Sequence, residues 1–135
     1  MKTLLELPTA SVFHLPGVGG VLCALLQLTQ RRLWLTCYCF DLPEGKAVLS
    51  SLLGRSVELR LLLCKNQMKN PSCTNQHETI AKLFGGAGSQ YLQVKAYNPN
   101  YGLFSALHAK TWCADGEVYF GGSFNFSRRA ATNNE

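Results

Sequence analysis

Acidic residues are scarce in this chain: eight Asp and Glu stand against thirteen Lys and Arg, a formal net charge of +5. The surplus suits an anionic partner, such as nucleic acid or phospholipid head groups, or else a solubilising surface. Long apolar runs are missing too. Val18 to Leu28 falls short of the about 20 residues a bilayer span needs, so no transmembrane segment is expected. Glu6 and Pro8 interrupt the Leu-rich start, and no clean small-x-small cleavage site follows it. No C-x2-C pair has distant Cys or His partners, which leaves structural zinc weakly supported and no metal site expected. Repeats and low-complexity tracts are absent, so a solenoid or array is not expected.

What is present is apolar enough to fold. Residues of apolar type make up 47% of 135 positions, which suits one compact domain. Residues 1–12 read as an N-terminal extension and 13–135 as that domain. Six cysteines occupy positions 23, 37, 39, 64, 73 and 113. Cys37 and Cys39 would share one side of a strand, while Cys23, Cys64 and Cys113 lie in apolar, core-like runs. Free buried cysteines in a reducing intracellular compartment are the simplest reading.

Helical and strand periods alternate along the chain. Gly17, Gly19 and Gly20 read as a flexible lead into a helix over Val21–Arg31, with Leu22, Leu25, Leu26 and Thr29 on one face. A strand over Leu33–Phe40, a helix over Lys46–Leu53 ended by Gly54, and a strand over Val57–Cys64 follow. Lys65–Asn75 is polar and reads as a long loop, and Gln76–Phe84 as a helix stopped by Gly85-Gly86. Gln90–Tyr97 is a strand, and Asn98 to Gly102 a turn. Leu107–Ala114 and Glu117–Gly121 form a hairpin through Asp115-Gly116. The order predicts an α/β sandwich with a mixed sheet, parallel at the helical crossovers and antiparallel at the hairpin.

The chemistry concentrates near the end. His108 and Lys110 are two apart on a predicted strand, so their side chains share a face. Asp115 follows at the turn, and Gly122-Ser123-Phe124-Asn125 lies beyond the second strand, at the same end of the hairpin as His108. Taken singly these residues are unremarkable: a surface histidine, a solvated lysine, a turn aspartate, polar loop residues. As a set they can attack and hold a phosphodiester without a metal, and so no cofactor is expected.

The pattern His108-x-Lys110, Asp115, Gly122-Ser123-x-Asn125 resembles that of the phospholipase D superfamily in every fixed position and gap. The short basic nucleases and single-motif mitochondrial cardiolipin hydrolase-like members look most similar, and the likeness covers roughly positions 13–135, including Tyr38. It implies a phospholipase D-like α-β-α sandwich and a set of roles. His108 would be the nucleophile that forms a phosphohistidine. Lys110, Ser123 and Asn125 would hold the phosphoryl oxygens. Asp115 would orient the histidine pair and favour its imidazolium form. Glu135 resembles the acidic residue that follows the family's motif, expected to support a site histidine or contact the partner motif.

One motif is half of what a two-step reaction needs, because a second histidine must protonate the leaving group. A homodimer whose motifs meet at the two-fold axis is therefore expected. His14 and His77 lie outside any motif and read as loop and helix residues. For substrate, Arg128 and Arg129 are candidates for a flanking phosphate, and Lys65 and Lys69 for a nucleic-acid backbone. Tyr101, with Tyr97 and Phe104, could stack bases, line a lipid-sized cleft or pack. Arg31-Arg32 reads as a cationic cap on the first helix. These features favour an endonuclease acting on DNA or RNA over a phospholipase acting on cardiolipin or another phospholipid at a membrane surface. A catalytically inactive nucleic-acid-binding module is the third reading.

Two departures from the family stand out. Cys64 lies where members often carry an acidic residue. The chain also stops at Glu135, where the family usually continues with another strand and a terminal helix. The expectation is a fragment of a longer, two-motif protein or a domain that has lost its last elements.

Overall fold

The computed structural model describes residues 18–70, 76–97, 107–127 and 130. Helix α1 spans Val18–Gln27, strand β1 Arg32–Cys37, helix α2 Pro43–Gly54 and strand β2 Glu58–Cys64. A 3-10 helix over Lys65–Lys69 leads towards helix α3 (Gln76–Phe84), and a second 3-10 turn over Ser89–Tyr91 leads into β3 (Leu92–Tyr97). The hairpin of β4 (Thr111–Ala114) and β5 (Val118–Gly121) completes a five-stranded sheet of order β3-β2-β1-β4-β5. Strands β1, β2 and β3 are mutually parallel, and β4 runs antiparallel to both β1 and β5. This is the expected mixed sheet, consistent with part of a phospholipase D-like α-β-α sandwich: among the described residues the helices lie on one face.

The alternation of the strands decides which face is core. Leu33, Leu35 and Cys37 of β1 and Leu59, Leu61 and Leu63 of β2 are buried, and so are Trp112 and Ala114 of β4. They join Leu22 and Leu26 of α1, Leu49, Leu52 and Leu53 of α2, and Ile80 and Leu83 of α3 in one hydrophobic cluster. Burying a Leu side chain of this kind contributes about 1.5–3 kcal/mol. All three helices thus cover the same face; α2 and α3 do so as crossovers between successive parallel strands, which share one hand.

Several local expectations change. Gly19 and Gly20 lie inside α1, which begins at Val18 instead of after a flexible lead. A Cβ on Gly19 would stand 2.9 Å from Cζ of Phe124, so the glycine lets the helix approach that ring. Helix α2 starts at Pro43, earlier than its apolar spacing suggests, because Pro at the first helical position needs no N–H partner. Part of the predicted loop after β2 is the 3-10 helix Lys65–Lys69. Arg31 and Arg32 do not cap α1. The guanidinium of Arg55 donates to the carbonyl of Gln27 at 2.8 Å instead.

The cysteine expectation is corrected in one respect. Cys23, Cys37, Cys64 and Cys113 carry free thiols, but Cys39 is disulfide-bonded, so the cysteines do not read uniformly as reduced. Burial pushes the Cys37 thiol up to about 11, although its Sγ donates to the carbonyl of Cys39 at 2.8 Å. Among the described residues no helix is long and apolar enough to cross a membrane.

Candidate active site

The sheet topology gathers the motif at one end. Strands β1 and β2 end at Cys37 and Cys64, and β4 begins beside the end of β1, with Thr111 paired to Thr36. Strand β5 ends opposite the same residue, with Gly121 paired to Thr111. Tyr38, Gln67, His108, Lys110 and the loop from Gly122 therefore converge at the carboxyl ends of the parallel strands, where open α/β sheets characteristically carry their sites.

His108 and Lys110 precede β4 and are not part of it, yet they meet. The imidazole is exposed, whereas Lys110 is buried. Nζ of Lys110 stands 2.8 Å from Nε2 and 3.0 Å from Nδ1 of His108, and donates to the His108 carbonyl at 2.8 Å. Tyr38 backs the pair. Its ring is edge-on to the imidazole at 4.8 Å between centroids, and Nζ lies 5.5 Å from its centre. Nε2 of Gln67 donates to the Tyr38 hydroxyl at 2.7 Å, and Oε1 of Gln67 accepts from Nδ2 of Asn70 at 2.8 Å. Tyr38 and Gln67 complete the site. Tyr38 was visible in the sequence only as part of a family-like strand, and Gln67 fell in a presumed loop.

The Gly122 loop is fixed through its aromatic residues. Phe124 and Phe126 are buried, in T-shaped contact at 5.8 Å, and the N–H groups of Asp41 and Leu42 both donate to the Phe126 carbonyl. The N–H of Gly122 donates to the Lys110 carbonyl at 3.3 Å, which ties the loop to the segment that carries His108 and Lys110. Between these anchors Ser123 is exposed and Asn125 half-buried. Among the described residues Oδ1 of Asn125, though buried, meets no hydrogen-bond partner.

Asp115 goes elsewhere, which corrects the role expected for it. It occupies the hairpin turn with φ of 57°, followed by Gly116 at 79°, at the opposite end of β4 from His108. Its carboxylate accepts the backbone N–H groups of Gln30, Arg31 and Arg32 at 2.8–3.0 Å. Burial opposes the ionised carboxylate, but these three donors and the Arg31 charge outweigh it and hold its pKa below the ordinary value. Asp115 therefore anchors the hairpin to the turn after α1 and does not orient the histidine.

The remaining candidates divide. Lys65 is exposed on the 3-10 helix after β2, and His77 is exposed on α3. Tyr101, Arg128, Arg129, Glu135, His14 and Phe104 lie outside the described residues. Trp112, two residues after Lys110 and buried like it, is stacked on Phe120 at 5.7 Å. Cys64, at the position where an acid was anticipated, is fully buried. Among the described residues no group of three or more His, Cys, Asp or Glu could hold a metal ion.

Residues 22–135 match the family described as "Cardiolipin synthase, PLD-like domain". No curated protein matches the chain significantly in sequence. Among solved structures, Nuc from Salmonella typhimurium, a phospholipase D family member, superposes with a TM-score of 0.65 at 17% identity, over 84% of this chain and 68% of that one. NucT from Helicobacter pylori gives 0.70 at 17% identity, over 91% and 78%. TrmBL2, an archaeal chromatin protein with a novel mode of DNA binding, gives 0.55 at 16% identity, over 83% and 39%.

Proposed function

The chain belongs to the PLD-like domain family, and from that premise we propose that it is a phosphodiesterase, an endonuclease that hydrolyses DNA or RNA through a phosphohistidine on His108. The observation that carries this reading is the pairing of an exposed imidazole with a buried ammonium against its ring. The nucleophile is open to substrate while the cation that would meet the phosphoryl oxygens is fixed behind it.

In the first step a ring nitrogen of His108 forms a bond to phosphorus. The bond from phosphorus to the leaving oxygen breaks, and that oxygen takes a proton from a second histidine. In the second step water attacks phosphorus and gives its proton to that histidine, and the phosphorus–nitrogen bond breaks to restore His108. Lys110, Ser123 and Asn125 would bind the non-bridging oxygens. The second histidine would come from the same motif of another copy of the chain, in a homodimer joined at the carboxyl ends of its strands. Arg128, Arg129, Lys65 and Tyr101 would contact the flanking substrate, and Glu135 would support a site histidine or contact the partner motif.

The family's description favours one further reading, in which the diester belongs to cardiolipin or another phospholipid. One assay separates the two. Purified protein in EDTA is given single-stranded nucleic acid in one arm and cardiolipin vesicles in the other. The nuclease reading requires nucleic-acid cleavage that His108→Ala abolishes. Lipid turnover alone would replace it, and cleavage retained by His108→Ala would end the nucleophile assignment. Sedimentation should give about twice 14.9 kDa for the active species, and an active monomer would rule out the shared site.

A further inference from the structure

Gln67, after β2, and Gln76, at the start of α3, grip the two residues on either side of Cys39. Nε2 of Gln67 donates to the Tyr38 hydroxyl at 2.7 Å, and the N–H of Phe40 donates to Oε1 of Gln76 at 3.0 Å. Both glutamines are buried. Cys39, between the two gripped residues, is buried and disulfide-bonded. The chain has six cysteines, and Cys23, Cys37, Cys64 and Cys113 are free, so the count leaves Cys73 as the partner. Cys73 lies outside the described residues. In sequence it falls between Gln67 and Gln76, the residues that hold both neighbours of Cys39.

The joint that carries this bond touches both halves of the site. On one side the Tyr38 ring is edge-on to the His108 imidazole at 4.8 Å. On the other, Phe40 packs on Phe126 at 5.9 Å and forms an isolated parallel bridge with it. Phe126 in turn anchors the loop of Ser123 and Asn125, through its carbonyl, to Asp41 and Leu42. The hydrogen bonds of Gln67 and Gln76 compete with water, whereas a covalent tie does not. Cys37, two residues away, donates from Sγ to the Cys39 carbonyl at 2.8 Å. Burial pushes its thiol up to about 11, so it holds almost no thiolate with which to attack a disulfide. The bond is therefore guarded from this neighbour and answers to a thiol from outside the chain. One bridge beside four free thiols is the pattern of a redox-sensing bond more than of a disulfide framework.

We propose that a Cys39–Cys73 disulfide is a redox switch on the His108 site. Closed, it fixes Tyr38 and Phe40 and keeps the site competent; opened by a dithiol, it frees the joint and slows the reaction. In opening, a thiolate of the dithiol attacks one sulfur of the bridge to form a mixed disulfide, and the displaced sulfur takes up a proton. The second sulfur of the dithiol then displaces the other cysteine, which is protonated in turn. Two electrons pass to the protein, which gains two thiols, and the dithiol leaves as a disulfide. What the switch controls rests on the phosphodiesterase reading, whereas movement of the joint is readable without turnover.

The test compares the full oxidised chain with the same chain treated with dithiothreitol, well below its unfolding temperature. Peptide mapping without reduction should recover Cys39 linked to Cys73. Cys39 linked elsewhere, or recovered as a thiol, would overturn the proposal. Reduction should lower kcat for cleavage of a single-stranded oligonucleotide about 10-fold or more, with KM changed less, because a small misplacement at a reacting centre costs that much. Reoxidation should restore it. Cys73→Ser should match the reduced protein and be indifferent to the dithiol. Cys39→Ser should do the same, and should that buried substitution fail to fold, Cys73→Ser carries the comparison. The C2 proton resonance of His108, assigned by its loss in His108→Ala, should shift on reduction while far-ultraviolet circular dichroism stays constant. A bond that only braces the fold would lower the unfolding temperature and leave both kcat and the His108 resonance where they were, and that result would end the switch. A shifted His108 resonance in a chain that cleaves nothing when oxidised would sink the phosphodiesterase reading and leave the redox-sensitive joint standing. Cleavage that reduction does not alter, with an unmoved resonance, would do the reverse.

Discussion

Oδ1 of Asp115 accepts the backbone N–H of Arg31 at 2.8 Å, across 84 residues of chain. The same carboxylate also takes the N–H groups of Gln30 and Arg32, so one side chain closes the turn between α1 and β1 and pins the β4–β5 hairpin to it. The motif's aspartate serves the site by fixing the hairpin whose other end carries His108 and Lys110.

That arrangement predicts an acid-sensitive fold. The folded-state pKa of Asp115 lies below its ordinary value, so its stabilisation is fully present above the ordinary carboxylate range. It is lost as pH falls through the lowered folded value. Asp115→Asn should cost about 2–4 kcal/mol at neutral pH, since hydrogen bonds to a charged group are worth about 1.5–3 kcal/mol each and do not add fully. The loss should shrink as both proteins are acidified. Urea unfolding from pH 7 down to pH 3 measures it, and a constant difference across that range would refute the linkage.

Tyr38 positions the imidazole through packing on one side and a hydrogen bond on the other. Tyr38→Phe keeps the ring against His108 but strands the Gln67 amide, and should cost about 1 kcal/mol of stability with little effect on kcat. Tyr38→Leu removes the ring and should lower kcat more than it changes KM. Equal kinetics for the two variants would mean that the ring contact has no bearing on His108.

Much of this was legible in the sequence, and the failures have physical causes. The parallel core strands announced themselves as apolar runs, and Asp115-Gly116 as a turn that needs positive φ at both positions. The spacing of His108 and Lys110 pointed to a shared face, though the chain there is not yet strand. What could not be read was where Asp115 spends its carboxylate, because its partners are backbone groups more than eighty residues away. Backbone donors leave no signature in side-chain identity. The role of Gln67 was hidden for a related reason. A polar residue after a strand looks like loop until the Tyr38 hydroxyl is seen beside it. The disulfide at Cys39 was also missed, since spacing alone does not pair cysteines.

The free thiols should differ sharply in reactivity. Cys37 and Cys23 are each pushed up to about 11, chiefly by burial. At pH 8 only about one molecule in a thousand would carry a thiolate at either position. Iodoacetamide should therefore leave both unmodified in the native protein and label them after unfolding, as read by peptide mass spectrometry. Rapid native labelling of Cys37 would contradict its burial.

Gly88 should tolerate no side chain. It precedes the turn into β3 with φ of 77°, and a Cβ there would stand 2.0 Å from the carbonyl oxygen of Leu53 at the end of α2. Backbone atoms cannot yield as a side chain would. Gly88→Ala should add the left-handed cost of about 1–2 kcal/mol to a steric displacement of α2 from β3. Thermal unfolding is expected to drop by several degrees at least. An Ala variant as stable as the parent would show that the contact between α2 and this turn is looser than drawn.

Lys110 offers the sharpest separation of fold from chemistry. Lys110→Met nearly preserves the length of the buried stem but removes the ammonium that donates to the His108 carbonyl and faces its ring. A lost electrostatic donor at a phosphoryl site costs about 10²–10³ in kcat. The methionine packs where the stem packed, so the variant should fold with a modest loss of stability and keep the exposed imidazole. The measurement is therefore paired: cleavage rate and thermal unfolding on the same preparation. Loss of cleavage with the unfolding transition intact would assign the ammonium to the reaction itself. Loss of both would mean that Lys110 holds the sheet in shape and that the chemistry ascribed to it is indirect.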